Sequence, residues 1–390
     1  MINPKSTSAD KKRIVGIAFI AIVSVILLIQ SYGKAYRDSG YDFTSYIYAS
    51  RLLSENQNPY DPASSVASQI DYPKPSFPYI YPLTLAFLMT PLSYIPYSVA
   101  ISIWFFAGLF SLLFTIYLLA KRERNETGGY WKRTDISIVS SLAILLLFNI
   151  VQNNFLNGQL NFIILLLSVL SYDYCSRGKK FSAAFVLALA VSLKLTPVIF
   201  LLYFLLKKEY KLFIYGTAMI PLLLLLPYLM IGNNITAFYA YYANNFLFEP
   251  GQNLNFLLSI FNNVYGRIAV IIALLLILIS ITLLYGKNRS RIIQNNVFSI
   301  YCLFLLLFTP KLQTHTLIFI MPAVVIFLMQ VSDSFKELKK LPIILAAFSL
   351  IVFYISRSVD VFNLVYLTIF ILLISLVLNL HVLKRYQAVQ

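Results

Sequence analysis

Runs of about 20 apolar residues, the length that spans a bilayer core, recur along this chain and are separated by short basic connections. Such a run is stable in hydrocarbon only as a helix or in a closed barrel, because no water is there to satisfy backbone N–H and C=O groups. Crossings are predicted near 14–32, 98–120, 136–152, 160–175, 211–231, 267–286, 296–310, 314–331, 341–356 and 361–381. Residues 181–206 are also apolar but carry Lys194 in the middle and Pro197 just after it, with basic clusters at both flanks. They are predicted to form a hairpin of two short spans meeting near Lys194. Composition agrees: 59% of the 390 residues are hydrophobic and 12% charged, against about 25% charged in a typical soluble domain. No soluble fold of this length has interior enough for that apolar surface. A soluble enzyme, a disordered chain and a disulfide scaffold are thereby excluded. The two cysteines, Cys175 and Cys302, and two histidines, His315 and His381, suggest neither a disulfide framework nor a thiolate or histidine-rich metal site.

The net charge of +16 reads as topology. Lysine and arginine concentrate in cytoplasmic loops. With the N-terminus inside, 23 of the 31 basic residues and eight of the 15 acids fall on the inner side. The inner face then nets +15 and the outer face +1, which leaves no excess positive charge to argue for nucleic acid. The same parity lets 81–120 cross only once. Residues 98–120 are assigned that crossing, and 81–96, broken by Pro82, Pro91 and Pro96, become a re-entrant or interfacial segment. No cleavable signal peptide is evident, so 14–32 reads as an anchor. The expectation is an all-α polytopic integral membrane protein forming a single membrane domain over 1–390, with about twelve transmembrane helices. Both termini are expected in the cytoplasm, and two long external loops span 33–80 and 232–265.

Polar residues that such a chain tolerates poorly collect on the predicted outer face. Lys194 stands among apolar neighbours, and an ionisable group at membrane depth is costly and usually functional. Asn157-Gly158-Gln159, followed by Asn161, sits at a junction of two spans; amides donate and accept, which suits sugar hydroxyls, and glycine permits a tight turn or a close approach to a ligand. Lys311 and His315 lie four apart at the start of a span, where a helix N-terminus also favours an anion. Gln252-Asn253 lies in the second long loop. Asp42 follows the first span by about ten residues, and Asn58-Pro59-Tyr60-Asp61-Pro62 reads as a rigid turn in which Asp61 is structural.

In their order and spacing these blocks resemble the family 87 glycosyltransferases, integral membrane enzymes of the GT-C fold. The resemblance rests on Asp42 through Asp61, Tyr81-Pro82 to Pro96, Gln152, Asn157 to Gln159, Asn161, Leu193 to Pro197, Gln252-Asn253 and, in part, Gln313 to His315. It implies transfer of a hexose, mannose first, from a polyprenyl-phosphate sugar to a hydroxyl of a glycan, glycolipid or other acceptor, with inversion, at the outer face of the cell membrane. Asp42 is then expected as the general base. Lys194, Lys311, His315 and, more weakly, Arg267 are expected on the donor phosphate, and Asn157, Gln159, Gln252 and Asn253 on sugar hydroxyls. Fixed cations can stabilise a leaving phosphate, so neither metal nor cofactor is expected; the partners are the lipid-linked donor, the acceptor and membrane lipid. Two alternatives stay open: a different polyprenyl-phosphate sugar (arabinose, glucose or an aminosugar), or a lipid-linked glycan transporter or flippase.

Overall fold

The computed structural model describes residues 28–37, 40–64, 77–126, 133–247, 264–286, 290–309, 313–334 and 371–381, with a few isolated positions besides. The fold is all-helical, 84% helix, with no strand among the described residues. Among the described residues, four helices are long and apolar enough to cross a membrane, or up to five if one bent pair counts as a single span. The predicted crossing at 341–356 lies outside the described residues; that at 14–32 is described at 22, 25, 26 and 28–32, all helical.

Three helices form the frame. Helix α3 (Tyr97–Glu126) packs along α6 (Asn161–Ser176), and both approach α13 (Arg291–Phe308). Helix α13 is buried from Ile293 through Leu307 except for Gln294. Its C-terminal half is continuously apolar, its N-terminal half buries Asn295, Asn296 and Ser299, and the whole lies in the core. The flanking helices α9 (Tyr210–Leu224) and α12 (Val264–Tyr285) instead expose Ile214, Leu222, Leu276 and Leu284. Aliphatic faces turned outward on two long apolar helices are stable where hydrocarbon is the solvent.

The breaks between helices follow from particular residues. The run predicted as one crossing over 136–152 is bent by 72° at Leu147, between α4 (Arg133–Leu146) and α5 (Phe148–Leu156). Helix α7 (Lys180–Leu193) ends because Pro197 has no N–H and would clash with the Leu193 carbonyl in a continued helix. Lys194 is extended there, at φ −153° and ψ 123°. A 3-10 turn at Thr196–Val198 then leads into α8 (Ile199–Leu206). In the proline-punctuated segment, α2 (Leu83–Met89) is followed by a 3-10 turn at Thr90–Tyr94. Twelve such residues rise about 18 to 20 Å, short of the roughly 30 Å hydrocarbon core.

Polar and aromatic contacts pin the segment around α1 (Tyr41–Ser54) to this frame. Tyr60 Oη donates to the Tyr81 carbonyl at 2.7 Å and Tyr79 Oη to the Pro82 carbonyl at 2.6 Å. Tyr60 also stacks beside Tyr242 of α11 (Asn234–Tyr242), with ring centroids 5.0 Å apart. Within the Asn58–Pro62 turn, Asn58 Oδ1 accepts from the Tyr60 N–H at 3.1 Å, and Asp61 Oδ1 from the Ala63 N–H at 2.9 Å.

The decisive junction is between α1 and the end of α5. Helix α5 closes with Gly158 in the left-handed region (φ +59°). The Gly158 N–H reaches the Phe155 carbonyl at 3.0 Å and the Gln159 N–H the Asn154 carbonyl at 2.9 Å. This is the reciprocal pair of bonds that terminates a helix through a glycine. A Cβ on Gly158 would fall 2.6 Å from Phe43 Cβ. The close approach that glycine permits here is therefore to α1, not to a ligand. Gly40, also left-handed (φ +49°), abuts the same point from the N-terminal end of α1. The Asp42 N–H donates to the Asn157 carbonyl at 2.9 Å and Trp104 Nε1 to the Gly158 carbonyl at 2.7 Å, so α1, α3 and α5 are clamped at one spot. Gly158→Ala is expected to cost about 2 kcal/mol or more, from left-handed backbone strain plus the clash, and to cut activity with it. Unfolding in detergent against denaturant measures this; wild-type stability and turnover would mean that α1 does not depend on the contact.

Candidate functional site

The clamp puts Asp42 in the first turn of α1, where the helix dipole favours a carboxylate. The residue is half-buried. Gln159 donates from Nε2 to Asp42 Oδ2, and Oδ1 accepts no hydrogen bond among the described residues. Burial pushes the Asp42 pKa up to about 6, against the opposing pull of the Lys194 charge and the Gln159 hydrogen bond. Removal from water disfavours the charged form, and here that effect is the largest.

From Gln159 a chain of amides runs inward. Its Oε1 accepts from Tyr81 Oη at 3.3 Å and from Asn161 Nδ2 at 3.5 Å. Asn161 is fully buried at the start of α6. Its Nδ2 also donates to Asn154 Oδ1 at 3.2 Å, and its Oδ1 accepts from Lys194 Nζ at 2.8 Å. Asn154 in turn donates to the His315 carbonyl at 2.8 Å. The Lys194 ammonium lies 5.7 Å from the centroid of the Tyr81 ring. No ion pair joins Asp42 and Lys194 among the described residues. A carboxylate and an ammonium from distant segments thus share one polar cluster, connected through neutral amides. Tyr46, fully buried, packs edge-on against Tyr81 at 5.0 Å and against Trp104 at 5.9 Å, closing the apolar side.

Of the residues singled out from sequence, Asp42, Asn157, Gln159, Lys194 and His315 come together. Asn157 contributes its carbonyl to the Asp42 N–H, while its own Nδ2 bonds the Asn153 carbonyl at 2.7 Å. Gln159 spends its amide on Asp42, Tyr81 and Asn161. His315 is buried in a 3-10 turn at Thr314–Ile320, within electrostatic range of Lys194. Lys311, Gln252 and Asn253 lie outside the described residues, and Arg267 lies on α12. Sequence reading gave no role to Asn154 or Tyr81 and left Asn161 without one. The signal was present: Asn153, Asn154 and Asn161 put amides in or beside apolar runs, where each unpaired polar atom is expensive.

No group of three or more histidine, cysteine or acidic residues able to hold a metal occurs among the described residues. No curated protein and no solved structure matches the chain. A family model does match, over residues 79–310, and its description is glycosyltransferase family 87. The matched segment includes Tyr81, the Asn154–Asn161 amides, Lys194 and Arg267; Asp42 precedes it, and Lys311 and His315 follow it. Since it spans more than half of the 390 residues, the chain belongs to glycosyltransferase family 87.

Proposed function

We propose that this glycosyltransferase moves a hexose, mannose first, from a polyprenyl-phosphate sugar to an acceptor hydroxyl at the outer face of the cell membrane, with inversion. The observation that carries the reading is the connected line Asp42–Gln159–Asn161–Lys194. It sets a proton acceptor and a cation in one cluster without letting them neutralise each other.

In the reaction, Asp42 Oδ1 takes the acceptor's hydroxyl proton as that oxygen attacks the anomeric carbon. The bond from the anomeric carbon to the phosphate oxygen breaks, and polyprenyl phosphate departs with the electron pair. Lys194 offsets the charge that develops on it; Lys311, His315 and Arg267 are further candidates for the same phosphate. Gln159 fixes the orientation of Asp42, while Asn157, Gln252 and Asn253 are assigned to sugar hydroxyls. A lipid tail can stay in the acyl region beside the exposed aliphatic faces of the bundle while its phosphate reaches Lys194. Multi-pass insertion, with both termini in the cytoplasm, follows from the charge asymmetry of the loops.

Two measurements test this. Asp42→Asn keeps the volume and one acceptor oxygen for Gln159, so it is expected to fold and insert normally yet lose transfer by at least about a hundredfold, the scale of a lost general base. Lys194→Ala is expected to impair donor use far more than acceptor use. Assay of purified protein with a radiolabelled polyprenyl-phosphate sugar reads both, and near-normal turnover by the Asp42 variant would place the base elsewhere. The pH profile is the second measurement. Asp42 acts as the carboxylate, so activity should be full well above pH 6 and decline as pH falls through about 6, higher than the roughly 4 of an unperturbed aspartate. An acidic limb at about 4 would detach Asp42 from the rate.

A further inference from the structure

A second polar constellation lies at the opposite end of the same helices. Trp104, which bonds the Gly158 carbonyl, and Arg122 are both on α3, and the 18 residues between them rise about 27 Å, close to the thickness of a hydrocarbon core. At the far end a cavity of about 340 Å³ is lined by Leu118, Lys121, Arg122, Asp173, Ser176, Arg177 and Arg291. Four cations thus face it against one carboxylate. Glu123, buried next to Arg122 in the chain, leaves the cations in excess even when counted.

Arg122 is the built element. It is 7% exposed, and its guanidinium is fixed on three sides. Nε donates to Asn295 Oδ1 at 3.1 Å, and Nη1 to Ser176 Oγ at 2.6 Å and Asp173 Oδ1 at 3.4 Å. The Tyr172 ring lies 4.1 Å beneath it. None of these three bonds uses Nη2. Asp173 is already shared, since Arg177 Nη2 reaches its Oδ2 at 2.8 Å. The C-terminal ends of α3 and α6 favour cations by their dipoles, which accounts for basic residues there. It does not account for a buried arginine on a cavity wall whose Nη2 takes no part in those three bonds. An oriented guanidinium on the cavity wall, with the Lys121 ammonium and the Arg291 guanidinium lining the same cavity, matches the tetrahedral oxygens of a phosphate.

We infer that this cavity binds a phosphate-bearing anion, separately from the transfer site. Arg122 Nη2 donates to one phosphate oxygen, and Lys121 and Arg291 close over the others. Two sources supply that chemistry: the headgroup of an anionic phospholipid in the adjacent leaflet, or a free phosphate-bearing solute. The cavity stands about one membrane thickness from Asp42, so its occupant neither donates nor accepts the sugar.

The test uses the full-length protein in neutral detergent and three probes: phosphatidylglycerol, phosphatidylcholine and inorganic phosphate. Tm against probe concentration and native mass spectrometry read the binding. Phosphatidylglycerol, inorganic phosphate or both should bind, and phosphatidylcholine should not. Binding of inorganic phosphate alone or at equal strength identifies a free solute; binding of phosphatidylglycerol only identifies the headgroup. The double variant K121Q/R291Q, at half-buried and exposed positions, should weaken binding about 30-fold, the loss of two basic contacts to a phosphate-bearing surface. K208Q/K211Q removes the same charge from exposed positions outside the cavity and should leave binding unchanged. R177Q supplies an independent cavity variant should the first fold poorly. Failure of both anions to bind, or equal weakening by the two double variants, overturns the inference. Basal sugar transfer is read in parallel, and its loss in Asp42→Asn has no bearing on this outcome.

Discussion

An acid and an ammonium are drawn into one cluster here and kept from pairing. Asp42 and Lys194 come from segments about 150 residues apart, and in a medium of low dielectric their attraction would be strong on contact. The amides of Gln159 and Asn161 stand between them, so neither charge is quenched. Glutamine and asparagine suit this task because each presents a donor and an acceptor. Gln159 offers its N–H to the carboxylate and its oxygen to Tyr81 and Asn161. Asn161 offers its oxygen to the ammonium and its N–H to Asn154 and Gln159. Replacing either by an acid or a base would add a charge and create a direct ion pair. The neutral bridge leaves one face of each charge unspent, which is the condition for acting on a substrate.

This bridge rests on backbone geometry more than on side-chain attraction. The Gln159 side chain leaves a helix terminus whose direction is set by left-handed Gly158, and that glycine lies against Phe43, one residue from Asp42. Phe43 stacks on Trp104 at 5.7 Å, and Trp104 returns to the Gly158 carbonyl. The loop of contacts is closed: carboxylate, glycine turn and α3 fix one another. On the other side Asn161 opens α6 and Lys194 ends α7, two helices packed along each other, so the ammonium is positioned by elements already rigid for reasons of packing. A site assembled from helix ends needs no long loop to hold it, and entropy lost in ordering side chains is lowest where the backbone is already fixed.

Much of this was legible in the residues. All-helical architecture follows from apolar runs that leave hydrogen bonds nowhere else to go, and the break at Lys194 from Pro197. Asp42, Gln159, Lys194 and His315 stand out because charged or amide groups are rare in such surroundings. The use of those groups was not legible. Spacing pointed Asn157 and Gln159 at sugar hydroxyls; in the fold Gln159 bonds Asp42, Tyr81 and Asn161, while the Asn157 Nδ2 bonds the Asn153 carbonyl. A one-dimensional pattern reports that a polar residue needs a partner and does not say which distant segment supplies it. The 72° bend at Leu147 was equally hidden, because no proline or glycine marks it.

The two ends of the bundle answer the same physical demand in opposite ways. At the Asp42 end, one acid and one lysine are joined by uncharged amides, and the local charge is nearly balanced. At the Arg122 end, acid meets guanidinium directly, Asp173 bridging Arg122 and Arg177, and positive charge remains in excess. Direct pairing of buried charges contributes little net stability but makes the loss of either partner costly, which suits a fixed structural anchor. Amide-mediated separation leaves both charges reactive, which suits chemistry. Helices α3 and α6 run between the two, so the pair that anchors their far ends also fixes the frame from which Trp104 and Asn161 reach the near cluster. The position of Asp42 is therefore secured in part about 27 Å away, by charges outside its own cluster.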